Sequence, residues 1–307
     1  MKRFLYQYVR SMRLYYSFVT GTTVLFGIWR AHAAGRAEMR GWRDAAALAV
    51  GFLAWGVNQI FSDYCDRKED AVNAPRRPMV TGALPARPAM ALSAAVMVLF
   101  GVASLHMSPW ALPALCAGGA LNVAYSLLKR VPVLNLMVYA CAITCCALYG
   151  FTAVGGALPS LRELAAIIAM VLPVHALMCH NSYYKDVKGD RAAGVRTLQT
   201  MFHENVSYAV TIVAAICICT IASLLYLVIE GNPFAAMVQM ALELVLTAML
   251  LTSLKKRRYH RATCLNCQLC VCMLYGWMVT EAWMPLAEIA SLIIIRLLFL
   301  WYQDEKE

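Results

Sequence analysis

The chain has 307 residues, of which 61% are hydrophobic and only 14% charged, with a mean hydropathy of +0.61. A soluble globular chain is nearer one-half apolar, so this composition excludes that class and points to a polytopic membrane protein. The net charge of +10 would suit a nucleic-acid partner, but the basic residues are strung along one predicted membrane face, where anionic lipid head groups account for them; no nucleic acid is expected.

A basic stretch ending in Arg10 and Arg13 precedes the apolar run 14–30, which runs into Ala31-His32-Ala33. Together they imitate a secretory signal with a small-residue cleavage site. Arg10 and Arg13 are useful where they stand and Arg30 sits awkwardly beside that site, so an uncleaved first helix is expected. A spanning helix needs roughly 20 apolar residues, and further spans are predicted at 44–62, 88–107, 109–127, 134–156, 161–181, 207–229, 236–254, 264–282 and 285–302. Glu281, Trp283 and Pro285 mark either a tight turn between the last two or a kink in one long helix. The reading is an all-α transmembrane bundle of nine or ten spans. No linker or low-complexity stretch divides it, so residues 1–307 form a single domain.

With the amino terminus cytosolic, most of the 27 Lys and Arg residues fall on the cytosolic side, including Lys255, Lys256, Arg257, Arg258 and Arg261 in one loop. The first outside loop departs from the rule with Arg30, Arg36, Arg40 and Arg43, partly offset by Glu38 and Asp44. Among the 12 cysteines, Cys264, Cys267 and Cys270 have the spacing of an iron–sulfur run. Cys272 breaks it, and the segment continues into a span, so packing is expected there.

Two acidic clusters end apolar runs. The second span closes in SDYCDRKED, where Ser62, Asp66 and Asp70 are spaced by four and Asp63 lies three before Asp66. On a helix all four share one face, and like charges so stacked repel unless they hold cations. The sixth span runs into KDVKGD, with Asp186 and Asp190 four apart among Lys185, Lys188, Arg191 and Arg196. A solvated charged face is the usual meaning of one DxxxD spacing. Two of them, each terminating an apolar run on the same predicted, cytosolic side, instead suggest a clamp for a magnesium diphosphate.

DxxDxxxD followed by NAPRRPMVTG, and the later DVKGDRAAGVRTL, resemble the two aspartate-rich signatures of the UbiA superfamily of intramembrane prenyltransferases. Tyr125-Ser126-Leu127-Leu128-Lys129-Arg130 resembles the family's Tyr-containing, Lys/Arg-ended segment, and Arg13 resembles another family cation. The resemblance covers most of the chain. It implies about nine spans around a central cavity open to lipid, a polyprenyl diphosphate donor and dependence on Mg2+. Asp66, Asp70, Asp186 and Asp190 would be catalytic, holding the metal together with Asp63. Arg13, Asn58, Ser62, Tyr125, Lys129, Arg130 and Lys185 would bind substrate. Ser62 departs from the Asn that normally begins the first signature; Asn58, one turn earlier, could substitute for it.

Loss of diphosphate from an allylic carbon leaves a carbocation, for which Tyr15, Tyr16, Tyr125 and Tyr149 are candidate aromatic neighbours, although tyrosines near helix ends more often anchor the interface. His180 is close enough to the second cluster to serve as a base or as a structural cap, and His175 lies in the same span. The leading expectation is transfer of a polyprenyl group to an aromatic or other lipid-soluble acceptor. The altered first signature keeps alive a terpene cyclase that uses no acceptor. A transporter would be expected to show charged residues near the bilayer midplane and a matched internal repeat, neither evident in the sequence.

Overall fold

The computed structural model describes residues 2–37, 41–128, 131, 133–192, 194–230, 232–278 and 283–302. Among these the regular structure is all helical. In chain order the helices are α1 (Lys2–Ser11), α2 (Tyr15–Ala33), α3 (Trp42–Cys65), the short α4 (Arg67–Asn73), α5 (Ala86–Met107), α6 (Ala111–Leu128), α7 (Leu134–Gly155) and α8 (Leu161–Ser182). A 3-10 turn at Tyr183–Lys185 then leads into α9 (Val187–Ala192) and α10 (Leu198–Met201), followed by α11 (Glu204–Glu230), α12 (Pro233–Lys255), α13 (Tyr259–Gly276) and α14 (Met284–Trp301). Seven of the described helices are long and apolar enough to cross a membrane. These are α3, α5, α7, α8, α11, α12 and α14, and α6 adds a shorter apolar stretch, Ala111–Tyr125.

The seven leave out α2 and α13, which are the interior of the bundle. Nearly all of α13 from Ala262 to Gly276 is buried among α2, α8, α11, α12 and α14. A helix shielded from lipid can carry polar groups provided each finds a partner. The amide of Asn266 bridges α13 to α8, accepting from Asn181 Nδ2 at 3.1 Å and donating to the Met178 carbonyl at 2.8 Å. Gln268 donates to the Leu292 carbonyl at 2.9 Å, and His260 Nε2 lies 3.0 Å from the Phe299 carbonyl. These polar residues hid the helix start, so α13 begins five residues before the predicted 264 and stops well before 282. Its cysteines Cys264, Cys267, Cys270 and Cys272 are all buried in this packing.

The most extensive seam joins α2 to α7. A Cβ built on Gly27 would overlap the Ala147 carbonyl oxygen, and one on Gly150 would overlap that of Val24. Small residues on both helices let the backbones meet, the usual route to tight packing where lipid removes the hydrophobic drive.

Three sequence expectations change. The chain begins with an amphipathic helix, α1, which a search for long apolar runs passes over; its Tyr8 hydroxyl lies 2.7 Å from Ser93 Oγ on α5. A carboxyl does sit near mid-span: Glu243, at the middle of α12, is 1% exposed, and Glu288, in the second turn of α14, is 6% exposed. Both accept from Gln239 Nε2 at 3.3 Å, which satisfies them within the apolar bundle. The basic loop after α2 is also explained. Arg36 forms a two-pronged pair with Glu163 at 3.2 and 3.3 Å, His32 contacts Asp44 at 2.9 Å, and Arg30 lies over the Trp29 ring. Arg40 and Glu38 lie outside the described residues.

Candidate active site

The first aspartate segment does not run on as one helix. Asp66 adopts φ −87°, ψ 8° and separates α3 from α4. The helical bonds continue through this one-residue break, from Asp66 N to the Ser62 carbonyl at 2.9 Å and from Asp70 N to that of Asp66 at 2.8 Å. Ser62, Asp66 and Asp70, spaced by four, all line one cavity, while Asp63 does not line it. Stacked carboxylates repel on a helix, and Arg77, between Pro75 and Pro78, pairs with Asp70 and approaches Asp63 at 3.8 Å.

Asp63 is buried and accepts two donors on Oδ1: Arg13 Nη2 at 2.5 Å and Gln59 Nε2 at 3.0 Å. Burial alone would lower the Arg13 pKa, but the charges of Asp63 and Asp70 raise it above its usual value, so the guanidinium remains cationic. Burial raises the Asp70 carboxyl above the ordinary carboxylate range, against the opposing pull of Arg77 and Arg13.

The second segment is brought to the first by packing of α9 on α4. Its 3-10 turn is fastened to α6 by the Tyr183 hydroxyl, which donates to Tyr125 Oη at 3.2 Å. Lys185 and Asp186 consequently face the same cavity as Asp66 and Asp70. Asp190 is buried one helical turn further on and does not line it, while Lys188, Arg191 and Arg196 are exposed.

The cavity has a volume of about 110 Å3 and is lined by three carboxylates, Asp66, Asp70 and Asp186, and three cations, Arg13, Arg77 and Lys185. Ser62, Gln59 and Ser182 add neutral polar groups, and Tyr16, Tyr125, Tyr139 and Trp55 add aromatic walls. Trp55 and Asn122 also line an apolar chamber of about 50 Å3 between α2, α3, α6 and α7, together with Asn58 and Tyr149. Asn58, Met97, Leu115 and Gly119 continue from the chamber into a groove of about 660 Å3 between α3, α5 and α6. Val98 and Leu127, 66% and 74% exposed, border its outer mouth. Polar cavity, apolar chamber and apolar surface groove thus share walls, the groove also meeting the polar cavity at Ser62.

Of the other sequence candidates, Tyr15 turns away to stack on Phe299, with ring centroids 4.1 Å apart. His180 contacts the Ser207 carbonyl at 3.1 Å and Gln199 on α10, and lines a separate apolar pocket between α8 and α11. His175 is buried against Thr23 and Cys270. Lys129 and Arg130 lie outside the described residues. The sequence carried Arg77 only within the stretch NAPRRPMVTG, and Gln59, Trp55, Asn122 and Tyr139 were passed over. Arg77 carried a signal in its place seven residues after Asp70; the others reach the site only through packing of distant helices.

A model of the UbiA prenyltransferase family matches residues 21–269, and the chain belongs to that family. It is 33% identical over 162 residues to digeranylgeranylglyceryl phosphate synthase of Natronomonas pharaonis, covering 52% of this chain and 57% of that protein. It is 30% identical over 200 residues to the bacteriochlorophyll synthase 33 kDa chain of Cereibacter sphaeroides, covering 61% and 63% respectively. Each match thus spans less than two thirds of the relative. Among solved structures, a UbiA homologue from Aeropyrum pernix K1 superposes with a TM-score of 0.68 at 19% identity, over 86% of this chain and 96% of that one. A UbiA homologue from Archaeoglobus fulgidus, solved with DMAPP and Mg2+, does so with a TM-score of 0.62 at 14% identity, over 89% and 99%. At these identities the likeness is one of fold.

Proposed function

We propose that this protein ionises a polyprenyl diphosphate in the charged cavity and transfers the prenyl group to an aromatic or other lipophilic acceptor. The observation that carries the reading is the set of adjoining voids: a polar box with balanced charge, an apolar chamber, and a groove on the apolar surface. Their adjacency suits a molecule with a charged head and a long hydrocarbon tail.

The donor set suits Mg2+, which takes oxygen ligands and is commonly held by one or two carboxylates completed by substrate phosphates. Among the described residues no group of three His, Cys, Asp or Glu side chains is gathered as a ready-made metal site, in keeping with a site that the substrate completes. Asp66, Asp70 and Asp186 would hold the ion, with Ser62 beside them and Asp63 and Asp190 just behind. Bound there, Mg2+ supplies charge stabilisation for the departing diphosphate. Arg13, Arg77 and Lys185 bind the phosphate oxygens and Asp63 and Gln59 orient Arg13; the resemblance to the family's Lys/Arg-ended segment is what would add Lys129 and Arg130. Tyr16, Tyr125, Tyr139 and Trp55 turn aromatic faces to the allylic carbon and exclude water from it.

Incubation with one labelled prenyl diphosphate, with and without a lipophilic acceptor mixture, tests the reading. Transfer requires the acceptor; a terpene hydrocarbon or alcohol from donor alone would assign a cyclase, and no Mg2+-dependent consumption at all would reject both. Arg77→Ala is expected to raise the donor KM by about tenfold to a hundredfold, as loss of a charge-assisted contact worth about 1.5–3 kcal/mol requires. An unchanged KM would remove Arg77 from the site. Nothing lies within 4 Å of a Cβ at Gly119, so Gly119→Phe should fold and plug the passage. It is expected to lower turnover of long donors by about tenfold or more while sparing short ones; an unchanged chain-length profile would route the tail elsewhere. We also place the aspartate side in the cytosol, where the Lys255–Arg258 cluster at the end of α12 would satisfy the positive-inside rule. Labelling of a cysteine substituted at Lys256 in oriented vesicles decides this.

A further inference from the structure

Arg13 lies in the turn between α1 and α2 with φ 50°, a backbone region that residues bearing a side chain adopt only when their surroundings hold them there. Such a break takes the amide at the start of the next helix away from a helical carbonyl, while the Val9 carbonyl in the last turn of α1 still accepts from the Met12 amide at 3.2 Å. A single hydroxyl ties the two sides of the turn together. Tyr302 Oη donates to the Val9 carbonyl at 3.2 Å and accepts from the Leu14 amide at 3.3 Å, across a sequence separation of 288 residues in the second case.

The tyrosine is itself well fixed. Its side chain is 2% exposed, its ring meets that of Tyr15 edge-on at 5.2 Å, and its amide donates to the Leu298 carbonyl at 3.1 Å as the last turn of α14. From the other side, Asp63 receives the Arg13 guanidinium at 2.5 Å. The arginine is thus held from two sides, the turn that carries it by Tyr302 through Val9 and Leu14, and its charge by Asp63. A phenyl ring in place of the phenol could pack equally well but could neither donate nor accept.

We infer that Tyr302 is a positioning residue: its hydroxyl locks the α1–α2 turn in the conformation that points Arg13 into the cavity, and so sets the affinity for diphosphate. The inference rests on the proposed function, since it takes Arg13 as a diphosphate contact. It adds that the reactive end of the cavity is tuned from the last turn of α14, which does not line it.

The test is a double-mutant cycle read by calorimetric binding of inorganic diphosphate with Mg2+ to the full chain in detergent. Arg13→Ala should weaken binding by about tenfold and Tyr302→Phe by about threefold or more, the scales of a charge-assisted and a neutral hydrogen bond. In the double variant the loss should stay within about twofold of that in Arg13→Ala alone, because without the guanidinium the turn has nothing to position. Tyr275→Phe, which removes another buried hydroxyl, bonded to Ser291 far from the turn, is the control and should bind like wild type. Wild-type affinity in Tyr302→Phe, a double loss equal to the product of the two single losses, an equal loss in Tyr275→Phe, or a Tyr302→Phe chain that does not fold would each overturn the positioning role. Wild-type protein that fails to bind diphosphate would instead overturn the functional reading, and the inference with it.

Discussion

Asp186→Asn is expected to lower donor turnover by at least about a hundredfold while leaving the bundle folded. Asparagine has nearly the same volume and keeps the helix-compatible backbone, so the substitution removes charge alone. The local fold does not depend on that charge. The Asp186 amide donates to the Tyr183 carbonyl at 3.1 Å, its carbonyl accepts from the Asp190 amide at 2.8 Å, and the Tyr183–Tyr125 hydroxyl bond fastens the turn to α6. What is lost is one of the three carboxylates that face the cavity. Melting in detergent and turnover measured across an Mg2+ titration check both halves. Lys188→Gln, two residues on but exposed, should leave turnover unchanged. A folded Asp186→Asn protein with full activity would remove the second aspartate segment from the chemistry.

The second large effect is on stability. Gly27→Ala is expected to destabilise the bundle by about 1–3 kcal/mol, the usual range for overpacking, and to lower its melting temperature in detergent accordingly. The added methyl would meet the Ala147 backbone oxygen and stand close to the Phe151 amide. Backbone inside a helix cannot swing aside as a flexible side chain can, so α2 and α7 must separate. Gly150→Ala should behave alike, since its methyl would meet the Val24 carbonyl from the opposite helix. Gly119→Ala is the contrast, with open space around the new atom, and should melt like wild type. An undiminished melting temperature in Gly27→Ala would mean that the seam is looser than described.

Much of this architecture was legible because a lipid-facing helix has to be apolar over a spanning length. The predicted run 134–156 and helix α7, Leu134–Gly155, differ by one residue at one end. Legibility failed where a helix is shielded by its neighbours or is amphipathic. The polar residues of α13 are satisfied by Met178, Asn181, Leu292 and Phe299 on other helices, and no local pattern announces such partners. Glu243 and Glu288 were missed for the same reason: their common donor, Gln239, is shared across α12 and α14.

The site divides along a similar line. Spacing and residue type brought Asp66, Asp70, Asp186 and Lys185 forward, the family resemblance added Arg13, and the fold gathers these around one cavity. Spacing could not reveal that Asp63 is turned to Arg13 and Gln59 rather than lining the cavity with Ser62, Asp66 and Asp70. Nor could it distinguish Asp186 from Asp190, four residues apart, one of which faces the cavity while the other is buried beyond it. The aromatic wall assembles from α2, α3, α6 and α7, so Trp55 and Tyr139 acquire a common purpose only when four separate segments are packed.

We propose that a charged cavity of this chain cleaves the carbon–oxygen bond of an allylic prenyl diphosphate with the help of Mg2+, and the decisive measurement is release of inorganic diphosphate from geranylgeranyl diphosphate by purified protein supplied with a lipophilic acceptor mixture. Release is expected to depend on Mg2+, to stop in EDTA, to resume when Mg2+ is restored and to fall by at least about a hundredfold in Asp186→Asn. Release that persists in EDTA, or that Asp186→Asn leaves intact in folded protein, would contradict it.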